Sequence, residues 1–160
     1  MSDYRPGDRL LTLRDEFYSR VVAWWTHSEW SHCTPILDEL GTTLEARLPR
    51  IGYGSVDDYA GATVLHLRPA EALTEAQMAA WVAAGEVLRG RRYDLLSLAG
   101  FIFGNGLQHK SKPNCAELLL TMDHAAGLLL GRGDHLVTPQ SYAEFAAAGL
   151  FTVVSDVTCA

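Results

Sequence analysis

The sequence has 160 residues, of which 48% are hydrophobic and 20% are charged, and these proportions exclude a chain that is disordered throughout. Its formal net charge of −6 argues against nucleic acid as the main partner, because phosphate binding needs a basic surface. The length suits one folded unit with a hydrophobic core, so we predict a single domain over residues 1–160.

The first half of the sequence predicts several strands and one helix. The segment "GDRLLTL" indicates a short strand. The segment "RDEFYSRVVAWWTHS" predicts a helix, because its large apolar residues recur at helical spacing: Phe17, Val21, Trp24 and Trp25. We expect these side chains in the core. The runs "SHCTPIL" and "TTLEARL" predict two strands around the turn "DELG", and "ATVLHLRP" predicts another that ends at Pro69.

The second half predicts mainly helices. In "TEAQMAAWVAAGEVLRG", Thr74 and Gln77 form a capping box and Gly90 ends the helix. Two further helices, "YDLLSLAGFIFG" and "CAELLLTMDHAAGLLL", flank the loop "NGLQHKSKPN". A fourth, "TPQSYAEFAAAG", has Thr138 as N-cap and Pro139 at its first position, and "LFTVVSDV" predicts a closing strand. The sequence therefore predicts an α+β fold with a small antiparallel sheet packed against helices.

The cysteines and the apolar segments indicate a compartment. Cys33, Cys115 and Cys159 are widely spaced, which suits neither a disulfide framework nor a structural zinc site and fits a reducing environment. The start of the chain, "MSDYRPGDRLLTL", lacks the apolar core of a signal peptide. The run "LLSLAGFIFG" is about half as long as a membrane helix. We expect a cytoplasmic protein without an integral membrane segment, although another delivery route stays open.

The segment "KPNCAEL" contains the candidate nucleophile. Cys115 stands at the predicted first turn of a helix, where the free N–H groups and the helix dipole favour the thiolate. The alternative is that Cys115 is a small buried apolar residue, as most free cysteines are.

His32 and Glu45 are the candidate base and orienting residue. In a hairpin with an even-numbered loop, an odd and an even residue number oppose each other, so these two side chains share one face, opposite or one diagonal step apart. A carboxylate beside an imidazole fixes its tautomer and stabilises the imidazolium. The same alternation turns Cys33 to the other face, as a core residue. The alternative is that His32 and Glu45 are ordinary polar strand residues, but together with Cys115 they suit a thiolate–imidazolium pair.

Two residues close to Cys115 in the sequence are candidate substrate-binding residues. Asn114 directly precedes Cys115, and His109 lies in the loop before it. His109 is also the alternative base, because that loop can fold back on the cysteine. Nearby Lys110 and Lys112 could meet an acidic substrate group, but they suit a solvated loop equally well.

Several short motifs follow one another in a characteristic order. They are "GD" at the first strand, "WSH" opening another, "LEA", the helix start "NCAEL", and "VTPQSY" before the final strand. This order, from Gly7 to about Val154, resembles the circularly permuted papain-like hydrolases. These are the NlpC-like superfamily, and the likeness is to its YiiX-like branch, in which the histidine precedes the cysteine. At Asn114 these relatives often carry an aromatic residue instead.

The resemblance implies a permuted papain-like fold with Cys115 as nucleophile, His32 as base and Glu45 as the orienting residue. It implies a cysteine hydrolase of the peptidase or amidase type that needs no cofactor and acts on a peptide or other acyl substrate. Cleavage of an amide bond in a cell-wall-type peptide is the leading hypothesis. The alternatives are a lipid acyl hydrolase or acyltransferase on the same core, and a binding module without turnover. A metal site made by His32, Cys115 and Glu45 lacks a paired ligand spacing, so we expect no metal.

Overall fold

The computed structural model describes residues 3–25, 27–47, 49–92, 115–128 and 137–157. The helix predicted for "YDLLSLAGFIFG" and the loop "NGLQHKSKPN" lie outside the described residues, and so do His109, Asn114 and Cys159.

The described elements are mainly strands in the first half of the chain and mainly helices in the second half. The strands are β1 (Arg9–Leu13), β2 (His32–Pro35), β3 (Thr42–Ala46), β4 (Ile51–Ser55), β5 (Thr63–Pro69) and β6 (Phe151–Val157). The α-helices are α1 (Phe17–Trp25), α2 (Glu75–Leu88), α3 (Cys115–Ala125) and α4 (Pro139–Ala147). A short 3₁₀ helix spans Val56–Tyr59.

The strands form two antiparallel sheets. The larger has four strands in the order β2-β1-β5-β6, and the smaller pairs β3 with β4. In the larger sheet Leu11 of β1 stands between Cys33 and Leu65. The last strand of the chain pairs with β5, with a register shift between His66 and Leu67. The mixture of small antiparallel sheets and helices confirms the predicted α+β class.

Strands β2 and β3 join the two sheets. A single bridge pairs Ile36 with Thr43, and the N–H of Leu37 donates to the carbonyl of Thr42 at 2.7 Å. This bridge joins an even-numbered to an odd-numbered residue, as the predicted hairpin requires. The main partner of β3 is β4, which the sequence analysis did not predict. Its sequence "IGYGS" contains two glycines, and glycine weakens the strand signal.

The core lies between the larger sheet, β3 and the helices. Its fully buried side chains include Leu11, Leu44, Trp81, Leu118, Leu119, Met122 and Tyr142. Gly85 lets α2 approach its neighbours closely, because a Cβ there would stand 2.9 Å from both Leu44 Cδ2 and Met122 Cε. Helix α2 is therefore packed tightly against both the helix that begins at Cys115 and the strand that carries Glu45.

The core prediction for α1 is wrong for two of its aromatic residues. The side chains of Phe17 and Trp24 are 84% and 72% exposed. The small residues Ser19 and Ala23 of this helix are buried. They stand four positions apart, so helical spacing alone did not reveal which face of the helix approaches the sheet.

A buried carboxylate holds α3 in place. Asp123 is fully buried and accepts hydrogen bonds from Trp81 Nε1 at 2.8 Å and from the hydroxyl of Tyr142 at 2.9 Å, and it pairs with Arg9. These partners come from α2, α4 and β1. The network thus fixes the helix on which Cys115 stands, and the hydrophobic pattern gave no sign of it.

Helix ends follow the predicted capping. Gln77 N donates to Thr74 Oγ1 at 3.3 Å, and Thr74 N donates to Gln77 Oε1 at 3.0 Å, which is the predicted capping box of α2. Gly90 follows that helix with a φ of +82°, a left-handed conformation that glycine adopts without strain. Among the helices that the structure describes, none is both long enough and apolar enough to span a bilayer.

Candidate active site

The thiol of Cys115 lies where α3 meets β2. Cys115 is the first residue of α3 and is buried, so its own N–H has no partner within the helix. Its sulfur is hydrogen-bonded to the imidazole of His32 and to Cys33. The tight packing of α3 against the sheet thus brings a residue from late in the chain to the first residues of β2.

His32 connects this thiol to a carboxylate. Its Nε2 donates to Glu45 Oε2 at 2.9 Å, and the same imidazole interacts with the thiol of Cys115. The His32 side chain is 20% exposed, whereas that of Glu45 is 4% exposed. The structure therefore brings together Cys115, His32 and Glu45, the three residues that the sequence suggested, with only the imidazole partly open to solvent.

The carboxylate of Glu45 is held on every side. Oε1 accepts hydrogen bonds from Thr43 Oγ1 at 2.6 Å and from Thr34 Oγ1 at 3.2 Å. Oε2 accepts from the Tyr59 hydroxyl at 2.7 Å and forms an ion pair with Arg47 Nε at 3.3 Å. A carboxylate with this many donors is fixed in orientation and stays ionised.

Gly54 leaves the space that Glu45 occupies. It stands opposite Thr43 in the register of β3 and β4. A Cβ at this position would lie 2.6 Å from Glu45 Cγ and 2.9 Å from Thr43 Oγ1. One of the glycines that weakened the strand signal of β4 is therefore required by the site.

The charges of the site stabilise one another. Burial raises the pKa of Glu45, but the hydrogen bond and charge of His32, with Thr43 and Tyr59, lower it overall from 4.5 to about 2. Burial lowers the pKa of His32, but the charges of Cys115 and Glu45 and their hydrogen bonds raise it from 6.5 to about 10. The arrangement thus favours an imidazolium beside an ionised carboxylate at neutral pH.

Cys115 is the anionic partner of this imidazolium. The hydrogen bond from Cys33 and the charge and hydrogen bond of His32 lower the pKa of the Cys115 thiol, against burial, which raises it. The result is a thiolate–imidazolium pair, whose apparent pKa values belong to the pair as a whole.

Cys33 lies closer to the site than the sequence analysis predicted. It is buried in the core, as expected, but both its thiol and its backbone N–H donate toward the sulfur of Cys115. His32 is the first residue of β2, which lies at the edge of the larger sheet, and Cys33 follows it directly. Cys115, at the start of α3, therefore contacts both residues. Burial and the neighbouring Cys115 raise the pKa of Cys33.

The other residues that hold Glu45 were not predicted from the sequence. Thr34 lies two residues after His32, and Thr43 two residues before Glu45, so strand alternation could have assigned both to the shared face. Tyr59 comes from the 3₁₀ helix, and no sequence signal pointed to it.

A second histidine–carboxylate pair lies elsewhere in the larger sheet. His66 Nε2 donates to Asp8 Oδ2 at 2.7 Å. Asp8 also accepts hydrogen bonds from Nε and Nη2 of Arg68, both at 2.8 Å, and from the N–H of Arg5 at 3.0 Å. Both cysteines that the structure describes, Cys33 and Cys115, lie at the His32 pair and not at this one.

Comparison with known proteins gives a structural likeness. No family model matches the sequence, and no curated protein matches it significantly. One of the matching solved structures is that of the metalloprotein YiiX from Escherichia coli O157:H7 (DUF1105). The TM-score is 0.68 at 15% identity, and the match covers 98% of this chain and 99% of that one. The chain therefore has a YiiX-like fold.

The description of that structure as a metalloprotein raises the question of a metal in this chain. Within the described residues, no group of three or more His, Cys, Asp and Glu side chains is arranged to hold a metal ion. Both oxygens of Glu45 already accept hydrogen bonds from hydroxyls or from His32, so this carboxylate is not available as a ligand. These residues do not fit a metal site, and we derive no step through one.

Proposed function

We propose that this protein is a cysteine hydrolase that cleaves an amide bond in a cell-wall-type peptide through a thioester intermediate. The observation that carries the proposal is the continuous hydrogen-bonded series from Cys115 through His32 to Glu45 at the start of α3. We further infer that the YiiX-like fold is a circularly permuted papain-like arrangement of the NlpC-like superfamily. The order of histidine before cysteine in the chain supports this inference.

In the first half of the reaction, the Cys115 thiolate attacks the amide carbonyl carbon. The tetrahedral oxyanion is stabilised by the N–H of Cys115, which the helix leaves free, and losing one such donor typically costs about 10²–10³ in rate. His32 then gives its proton to the departing amine nitrogen, the C–N bond breaks, and a thioester remains on Cys115.

In the second half, His32 acts as a base. It takes a proton from a water molecule, whose oxygen attacks the thioester carbonyl, and the C–S bond breaks to release a carboxylic acid and the Cys115 thiolate. Glu45 touches neither water nor substrate in this scheme. It keeps the imidazole oriented and stabilises its positive charge each time the ring is protonated.

A lipid acyl substrate is the second candidate, and α1 supplies a specific reason for it. Phe17 and Trp24 lie seven residues apart and expose most of their side chains. The same helix reaches the site through Ser19, whose hydroxyl bonds to that of Ser31, next to His32. Exposed aromatic side chains on one helix suit the surface of a lipid aggregate.

The test is a labelling and turnover experiment. We expect iodoacetamide at pH 6 to alkylate Cys115 much faster than Cys33, because only the thiolate attacks. A peptide amide with a cell-wall-type sequence should leave an acyl group on Cys115 after acid quench, detected by peptide mass mapping. The acyl adduct should vanish in Cys115→Ala and persist in Cys159→Ser, which removes the third cysteine of the sequence.

Two outcomes would contradict the proposal. Equal and steeply pH-dependent alkylation of Cys115 and Cys159 would mean that Cys115 is not activated. Turnover of an acyl lipid in vesicles, with no turnover of any peptide amide, would favour the lipid candidate with the same nucleophile.

A further inference from the structure

We propose that Cys115 and Cys33 form a redox modification site, in which a hydroperoxide oxidises Cys115 and Cys33 then closes a reversible disulfide with it. The inference rests on the proposed role of Cys115 as a reactive thiolate and adds a means of regulating the same site. It gives a chemical task to Cys33, which the hydrolytic mechanism does not use as a nucleophile.

The geometry that carries this inference is the contact between two sulfurs. Cys33 and Cys115 are both reduced and buried in one core cluster. The thiol of Cys33 lies beside the sulfur of Cys115 and interacts with it, because the start of α3 packs directly against β2. A disulfide forms when two such sulfurs approach to a bond length of about 2.05 Å. The contact joins β2 to α3, two elements that are far apart in the sequence.

The first step is the oxidation of Cys115. Its thiolate attacks one oxygen of the hydroperoxide, an S–O bond forms, and the O–O bond breaks. The leaving alkoxide or hydroxide takes the proton of the His32 imidazolium, which is hydrogen-bonded to Cys115. Cys115 is now a sulfenic acid, and the peroxide has been reduced to an alcohol or water.

The second step is resolution by Cys33. Its sulfur attacks the sulfur of the sulfenic acid, an S–S bond forms, and the S–O bond breaks. The Cys33 thiol supplies the proton with which hydroxide leaves as water, so atoms and charge balance. A dithiol reductant reverses the modification through thiol–disulfide exchange.

The local charges give these two steps an order. In the reduced protein the neighbouring Cys115 raises the pKa of Cys33, in addition to the effect of burial. Cys33 is therefore protonated and inert while Cys115 is a thiolate. Oxidation turns Cys115 into a neutral sulfenic acid, which removes the negative charge beside Cys33 and makes its deprotonation easier.

The modification would switch hydrolysis off and protect the nucleophile. A disulfide removes the thiolate that attacks the substrate. It also prevents further oxidation of Cys115 to sulfinic and sulfonic acids, which dithiols do not reduce. Because Cys115 is the nucleophile of the proposed reaction, hydrolytic activity should fall when the disulfide forms and return when it is reduced.

The experiment compares Cys159→Ser with the double variant Cys33→Ala, Cys159→Ser, so that no third thiol can exchange. Each protein is treated with hydrogen peroxide in the presence and absence of dimedone, a trap for sulfenic acid. Intact mass and non-reducing peptide mapping then identify the products. We expect the first protein to lose two hydrogens and yield a Cys33–Cys115 cross-linked peptide, and dithiothreitol to restore alkylation of Cys115.

The double variant should accumulate a dimedone adduct on Cys115 and, without dimedone, oxygen adducts that dithiothreitol does not remove. Equal overoxidation of Cys115 in both proteins, without a cross-linked peptide, would overturn the inference. If Cys33→Ala impairs folding, Cys33→Ser provides a closer match in size, and the cross-linked peptide of the first protein still decides. These readouts need no substrate, so a protein that cross-links but hydrolyses nothing would overturn the proposed function alone.

Discussion

Two histidines of the larger sheet each bind a buried carboxylate, and the two pairs are alike in this contact but differ in their surroundings. His32 binds Glu45 at 2.9 Å, and His66 binds Asp8 at 2.7 Å, through Nε2 in both cases. Each histidine stands on a strand, and each carboxylate is buried. The pair alone therefore does not identify a reactive site.

The pairs His32–Glu45 and His66–Asp8 differ in the other residues that each histidine and each carboxylate contacts. The imidazole of His32 also contacts Cys115, and the donors around Glu45 include three neutral hydroxyls besides the guanidinium of Arg47. At the other pair, the guanidinium of Arg68 already binds both oxygens of Asp8. The His66 side chain is 4% exposed, compared with 20% for His32.

These differences indicate separate roles. At Glu45, Arg47 Nε contacts Oε2 at 3.3 Å, and the same oxygen binds an imidazole that also faces a thiol. At Asp8 the guanidinium of Arg68 binds both carboxylate oxygens at 2.8 Å, so the pair holds β5 to the residue that precedes β1. Both histidines bind a carboxylate, so the carboxylate does not distinguish a candidate catalytic pair from a structural one. The thiol that the imidazole of His32 also contacts makes that distinction.

The largest effect that tests this comparison should come from replacing each histidine with glutamine. His32→Gln removes the group that transfers protons, so we expect kcat to fall about 10²–10⁴-fold and rapid alkylation of Cys115 at pH 6 to disappear. His66→Gln should keep kcat within about twofold. It should lower the free energy of unfolding by about 1–3 kcal/mol, because it disturbs a buried hydrogen bond to a carboxylate. Kinetics and urea denaturation of both variants measure the two effects; a kcat loss in His66→Gln alone would reverse the assignment.

Replacing the carboxylates should give a smaller effect with a pH signature. The thiolate–imidazolium form is present at pH values above the lowered pKa of Cys115 and below the raised pKa of His32, which is about 10. Glu45→Gln removes a negative charge beside His32, which lowers the pKa of the imidazolium, so the basic limb of the pH–rate profile should move to lower pH. We expect kcat to fall about 10–10³-fold, below the loss of roughly 10⁴ for the Asp of a serine triad.

Asp8→Asn is the matched control for Glu45→Gln. It should lower stability, because Arg68 and His66 lose the charge of their shared partner, and it should leave the pH–rate profile of the remaining folded protein unchanged. Superimposable profiles for wild type and Glu45→Gln would mean that another residue orients His32. Circular dichroism at each pH separates a change in folding from a change in rate.

The sequence predicted those parts of the site that depend on local geometry. Strand alternation brought His32 and Glu45 to one face, and a helix start gave Cys115 its position, because both rules act over a few residues. The contact between Cys33 and Cys115 depends on how α3 packs across the edge of the sheet, which is a long-range property. The pairing of β3 with β4, the exposure of Phe17 and Trp24, and the place of Tyr59 were missed for the same reason.

The smallest effect should come from one of the donors to Glu45. Tyr59→Phe keeps the ring, which stacks near His32 at 6.1 Å between centroids, and removes the hydroxyl that donates to Glu45 at 2.7 Å. The remaining donors hold the carboxylate, so we expect kcat to fall about two- to tenfold, equivalent to roughly 0.5–1.5 kcal/mol for one hydrogen bond. Without this donor the pKa of Glu45 should rise slightly from its value of about 2. The pH–rate profile should therefore change only at the low pH at which Glu45 becomes protonated.

Tyr142→Phe is the control for this smallest effect, because it removes a comparable hydroxyl, at 2.9 Å, from Asp123, a buried carboxylate outside the candidate site. It should lower the free energy of unfolding by about 1–3 kcal/mol and leave kcat and its pH dependence unchanged. Stopped-assay kinetics over the full pH range and urea denaturation measure both variants side by side. If Tyr142→Phe changed the profile as much as Tyr59→Phe, the rate loss would reflect general loosening of α3 and not the orientation of Glu45.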